Sequence, residues 1–232
     1  MLAAVVTSDP DPVRLAGKLL ADFASFAVGG DLVAIPTGRS PEILYKRIRE
    51  DGDMARLWSQ LKYLQLDEYL DAPAGVPLFS EELRQKIFDP IEVPPENRLS
   101  IDPSRDPGAE ALRLDRLCQR EGPLKVVVLG LGGNGHIAFN EPAESFGSGY
   151  RLVHLARETI RANFSKPYPE EVRALTIGVD QIISAAHIQL LVPQAQKQEL
   201  LERVLAGPID PQLPASALFE HPSLHIYRME AP

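Results

Sequence analysis

The stretch Val126-Val127-Val128-Leu129 constrains this chain more than any other. It is apolar at every position, so a strand built from it presents apolar side chains on both faces. Such a strand needs cover on both sides, the situation of a parallel sheet flanked by helices. Asp31 to Ile35, Leu61 to Leu66, Ala174 to Ile177, His187 to Val192 and Leu224 to Tyr227 are strand candidates of the same kind. Amphipathic stretches lie between several of them: Pro41 to Glu50, Ser80 to Phe88 with Leu83 and Ile87 on one face, Asp106 to Glu121, and Glu199 to Leu205 with Gly207 as its C′ glycine. The alternation predicts an α/β fold of Rossmann-like type, three layers with a mostly parallel sheet and helices on both faces. The 232 residues are expected to form one domain, 1–232.

Composition narrows the partners. Lys and Arg total 24 against 32 Asp and Glu, a formal charge of −8. Nucleic acid and anionic membrane both need clustered positive charge, so neither is expected. A small anion needs only a local nest of donors and stays open. The single cysteine, Cys118, lies in a helix-like stretch and reads as a small core residue, without a disulfide framework or a cysteine-based zinc site. No two histidines have metal-ligand spacing, so no metal is expected. The N-terminal stretch from Met1 has no basic region before its apolar residues, and no run approaches the ~18 apolar residues of a membrane span. A cytoplasmic monomer or small homo-oligomer is the expectation.

In a parallel α/β sheet, ligands bind beyond the carboxyl ends of the strands. Three such ends carry chemistry. Pro36-Thr37-Gly38-Arg39-Ser40-Pro41 joins a strand to a helix. Its backbone N–H groups, hydroxyls and Arg39 suit a phosphate, and Ser40 equally suits a helix cap with Pro41 in the first turn. Asp67-Glu68 follows the second strand candidate. Neighbours on extended chain face opposite ways, so one of the two acids would face a site as a general base. Gly130 to Pro142 holds four glycines, His136 and Glu141. Its nearest dinucleotide register, Gly130-x-Gly132-x-x-Gly135, lies late in the chain, and Pro142 breaks the helix that a pyrophosphate would need. His136, flanked by Asn134 and Glu141, is the best candidate for proton transfer. His154, His187, His221 and His225 read as structural or surface residues.

These residues carry a resemblance. Pro36-Thr37-Gly38-x-Ser40-Pro41, Leu66-Asp67-Glu68-Tyr69 and Gly135-His136-Ile137-Ala138-Phe139-Asn140-Glu141-Pro142 are similar to the signatures of the glucosamine-6-phosphate deaminase (isomerase) family, in the family's order. Ala174 to Val179, Gln196-Lys197 and Pro214 to Leu218 resemble later family segments. The resemblance implies aldose–ketose isomerisation coupled to deamination, of glucosamine 6-phosphate to fructose 6-phosphate and ammonia, with no cofactor. It implies that His136 opens the sugar ring with Asn134 and Glu141, and that Asp67 moves the C2 proton to C1. Gly38, Arg39, Ser40 and Lys197 would hold the phosphate, with Glu68 and Gly133 in the same binding set. The family's phosphate-contacting Arg position holds Ser165, where Lys166 or Arg161 could substitute. Positions matching the effector residues of allosteric members are Glu144, Arg151 and Val153, so their regulation is not expected. Alternative implied activities are a 6-phosphogluconolactonase or a deaminase of another amino-sugar phosphate. A non-catalytic sugar-phosphate sensor fits less well with a full acid–base set.

Overall fold

The computed structural model describes residues 4–230. Met1–Ala3, where the N-terminal reading begins, and residues 231–232 lie outside them. The strands are β1 (Val5–Asp9), β2 (Leu32–Ala34), β3 (Lys62–Leu64), β4 (Asp67–Tyr69), β5 (Arg98–Leu99), β6 (Val126–Gly130), β7 (Arg151–His154), β8 (Arg173–Thr176), β9 (His187–Val192) and β10 (Leu224–Met229). Seven of them form one sheet in the order β1-β10-β9-β6-β2-β3-β5, and every neighbouring pair in it is parallel. This is the mostly parallel α/β architecture that the unalternating apolar runs imply. Val126 to Leu129 are fully buried in β6, near the centre of the sheet.

Helices cover both faces. On one side, α1 (Pro12–Phe26), α2 (Glu42–Glu50) and α3 (Gly52–Ser59) pack Leu15, Leu19, Phe23, Leu44, Ile48 and Trp58 against Val33, Val126 and Val128. On the other, α5 (Pro107–Glu121) and α8 (Gln198–Ala206) bury Leu114, Leu117, Leu201 and Val204 with Val127, Leu129 and Leu190. Each large side chain so removed from water contributes about 1.5–3 kcal/mol before the entropy of ordering is counted. Local signals set the helix ends. Asp11 and Asp106 cap α1 and α5 by accepting backbone N–H bonds, each followed by Pro in the first turn. Gly122, at φ 96°, ends α5 in a conformation that side chains resist.

Three expectations are corrected. Ala174 to Ile177 does not extend the parallel sheet. Its strand, β8, is central in a separate antiparallel sheet, β4-β8-β7, to which Asp67-Glu68-Tyr69 also belongs. Leu175 and Ile177 nevertheless share a buried cluster with Leu129 and Leu190 of the large sheet. The stretch from Ser80 to Phe88 is a short α-helix, α4 (Phe79–Leu83), that widens into a π-helical turn over Arg84–Phe88. Gly207 does end α8, but at φ −86° and ψ 167° its backbone is extended rather than left-handed. Among the described residues, no helix is long and apolar enough to cross a membrane.

Candidate active site

The carboxyl ends of four neighbouring strands, β9, β6, β2 and β3, deliver their following turns to one cleft of about 500 Å³. Its lining includes Thr37 to Ser40 after β2, Asp67 after β3, Gly130 to Gly133 and His136 after β6, and Gln194, Gln196 and Lys197 after β9. The size suits a small molecule such as a sugar phosphate.

The turn after β2 is a nest of donors. Gly38 takes a φ of 87°, which the tight turn into α2 requires. Ser40 does not cap α2. The helix begins after Pro41 without a side-chain cap, and the Ser40 hydroxyl accepts a bond of 2.7 Å from Gln194 Nε2. Gln194 Oε1 is buried with no partner. Lys197 Nζ donates to Leu131 O at 2.5 Å, and burial holds its pKa below the usual lysine range. An anion in the cleft would relieve that desolvation.

Asp67 and Glu68 divide as neighbours on a strand should. Asp67 lines the cleft and is 8 % exposed. Burial, then the nearby negative charges of Glu68 and Glu82, push its pKa up to about 8. Glu68 is fully buried and faces away from the cleft. Its carboxylate accepts from the backbone N–H groups of Tyr69, Phe79 and Ser80 and from Gln65 Nε2, all at 2.8–2.9 Å. Glu68, expected in the binding set, is placed instead where it ties β4 to the start of α4, and all four donors would have to be abandoned for it to reach a ligand.

The glycine-rich loop folds around its own histidine. Gly132 N donates to His136 O at 2.8 Å, and a Cβ on Gly132 would fall 2.2 Å from the imidazole. Here the glycine makes room for that ring, not for a pyrophosphate. Glu141 Oε2 lies 3.5 Å from His136 Nδ1 and accepts from Asn134 Nδ2 at 2.7 Å. Thr159 Oγ1 is 3.4 Å from the same ring nitrogen. Asn134 Oδ1 also takes the His136 backbone N–H at 3.2 Å. Burial pushes the Glu141 pKa up, but hydrogen bonding and charge from His136, then Thr159 and Asn134, bring it below the usual carboxylate value. A carboxylate held ionised beside Nδ1 can orient the ring and leave Nε2 available to a group in the cleft. Asn134 and Glu141 act behind His136 and are not part of the lining. Ala138, at a φ of 47°, turns the chain sharply beside them. Asn140 fixes that turn by donating to Ile137 O and Ile177 O at 2.9 Å.

Lys166, expected near the phosphate, is not brought to the cleft. It is exposed, with its ammonium 5.9 Å from the centre of the Tyr168 ring, and it does not line the cleft. Ser165 and Arg161 are also exposed and outside the lining, whereas Ala162 and Asn163 are within it. Several lining residues were absent from the expectations. Gln194 follows β9 and falls under the same strand-end rule. Tyr69, Phe79 and Phe139 form an aromatic wall with ring centres 4.6–5.6 Å apart. Glu82 carries no sequence signal beyond its place in an amphipathic helix.

Comparisons with known proteins identify the family and the fold. Residues 18–226 match the family described as glucosamine-6-phosphate isomerases/6-phosphogluconolactonase. A glucosamine-6-phosphate deaminase of Hahella chejuensis is 33% identical over 231 residues, covering 94% of this chain and 86% of the relative. An Escherichia coli protein provisionally named as the deaminase AgaI is 31% identical over 193 residues, covering 82% and 77%. A monomeric glucosamine-6-phosphate deaminase of known structure superimposes with a TM-score of 0.86 at 27% identity, covering 97% of each chain. The chain belongs to the glucosamine-6-phosphate isomerase/6-phosphogluconolactonase family of sugar-phosphate enzymes.

Proposed function

We propose that this protein is a glucosamine-6-phosphate deaminase acting as a single domain. The observation that carries the reading is the meeting of two separate proton-transfer groups, Asp67 and the Glu141-oriented His136, in one cleft beside a donor nest. His136 Nε2 takes the anomeric hydroxyl proton and returns it to the ring oxygen, opening the pyranose. Asp67 then removes the C2 proton and delivers it to C1 through an enolamine. The resulting C2 imine adds water and expels ammonia, leaving fructose 6-phosphate. A carbon acid needs a base with a pKa near the working pH, and burial raises Asp67 toward that range. Gly38, Arg39, Ser40 and Lys197 hold the 6-phosphate, with the Gly133 backbone beside it. Lys197 supplies a point charge that an acidic protein otherwise lacks here. No step calls for a metal or an organic cofactor.

The test is ammonia release from glucosamine 6-phosphate by purified protein, assayed beside galactosamine 6-phosphate and 6-phosphogluconolactone. Turnover of glucosamine 6-phosphate at the highest kcat/KM supports the reading, and undetectable turnover beside an active alternative overturns it. A second amino-sugar phosphate is the other candidate substrate, because one of the relatives is named only as a deaminase.

A further inference from the structure

The donor nest after β2 already has a partner within the chain. Gly38 N–H donates to Glu82 Oε1 at 2.9 Å, across 44 residues of sequence. Glu82 lines the cleft from α4, opposite the turn, with 15 % of its side chain exposed. Lys86 Nζ, one turn further on, reaches the same Oε1 at 3.1 Å and also lies 3.8 Å from Glu42. Asp67 feels Glu82 as a nearby negative charge. A carboxylate at this place is unexpected in a cleft for an anion. One N–H cannot serve two strong acceptors, and a phosphate beside a fixed carboxylate meets like-charge repulsion in a partly desolvated site.

We propose that Glu82 is an internal competitor for the substrate's phosphate, bound to the Gly38 N–H that the phosphate itself would use. This rests on the reading of the cleft as a sugar-phosphate site and adds a residue that sets its affinity and selectivity. Binding requires the Glu82 side chain to leave Gly38, and Lys86 is the cation positioned to receive it. The anchoring of α4 through Glu68 keeps the exchange to a side-chain rotation, because the helix start is held by two backbone bonds. A ligand without a dianionic group cannot displace the carboxylate, so the device also selects against unphosphorylated sugars.

The experiment measures binding of inorganic phosphate to the full chain by calorimetry, in the wild type, Glu82→Gln, Glu82→Ala, Lys86→Ala and the double variant Glu82→Ala/Lys86→Ala. Removing the carboxylate is expected to tighten phosphate binding about 5–20-fold, the gain from relieving one close like charge. Lys86→Ala alone is expected to weaken it several-fold. In the Glu82→Ala background the same change should have a markedly smaller effect, because Lys86 then has no carboxylate to receive. Equal affinity in wild type and both Glu82 variants, or full additivity of the two alanine changes, overturns the competition while leaving the sugar-phosphate reading intact. Absence of phosphate binding in every protein overturns both. Lys86 lies in the π-helical turn after α4 with a third of its side chain exposed, so its variant tests the proposal even if a Glu82 variant folds poorly.

Discussion

The two sheets of this protein do different work with different residues. The seven-stranded sheet is apolar and parallel, and its central strand β6 has no exposed side chain from Val126 to Leu129. The three-stranded sheet is short and antiparallel, and it buries Asp67, Glu68 and Thr176. The large sheet gains stability from burial and contributes to the cleft only through its ends. The small sheet places an ionisable group inside the protein, where burial disfavours its charge. One is a scaffold that reaches the cleft through its strand ends, and the other holds an ionisable group in the cleft wall against the cost of burying its charge.

That contrast can be broken by substitution. Leu190→Ala in β9 is expected to cost about 2–5 kcal/mol, the range for a buried leucine replaced by a cavity. Chemical denaturation measures it, and activity per folded molecule should be retained. Asp67→Asn should do the reverse. Native Asp67 keeps its proton up to about pH 8, whereas the unfolded chain loses it near pH 4. The native state therefore binds more protons between those values, and its stability falls as pH rises across them. The Asn variant should escape that loss and be more stable than wild type by roughly 5 kcal/mol at pH 8, the order set by about four pKa units, with no advantage below pH 4. Melting curves at both pH values check the sign.

His136→Gln is expected to lower kcat/KM at least ~100-fold, equivalent to about 2.7 kcal/mol in the transition state, with little change in melting temperature. Glu68→Gln sharpens the comparison most finely. The new amide turns an N–H₂ toward groups that are themselves donors, at a cost of about 1–3 kcal/mol. Because those donors anchor α4, the variant should lose both stability and kcat/KM, where Leu190→Ala loses only the first and His136→Gln only the second.

The same contrast explains what could be read from the amino acids. The large sheet was legible because continuous apolar runs admit few arrangements. The small sheet was not. Asp67-Glu68-Tyr69 is polar in two of three positions, and Arg151 to His154 alternates only weakly. Both become strands through pairing with β8, which their own composition does not announce. β1 and α1 fell outside the expectations although Asp11-Pro12 is a helix start signal, since Val5 to Asp9 turns polar after two residues. In the candidate site, the strand-end rule leads to the cleft that Asp67 and His136 line, with Glu141 behind the imidazole. Glu68 was half legible: strand alternation says that one of two acids turns inward, but not that four donors await it there. Lys166 could not be placed from sequence, since its direction depends on the chain on either side of Pro167. Glu82 reaches the cleft only through tertiary packing of α4 across from the β2 turn.

The Glu68 carboxylate has a mechanical consequence. It joins β4 and the head of α4 through backbone atoms, so the strand that carries Asp67 and one wall of the cleft form a single stiff bracket. A bulkier sugar cannot be accommodated by spreading these two apart. Any difference in substrate size must be absorbed on the facing side, by the turns that follow β2 and β9, which a side-chain bond between Ser40 and Gln194 links without fastening backbone to backbone.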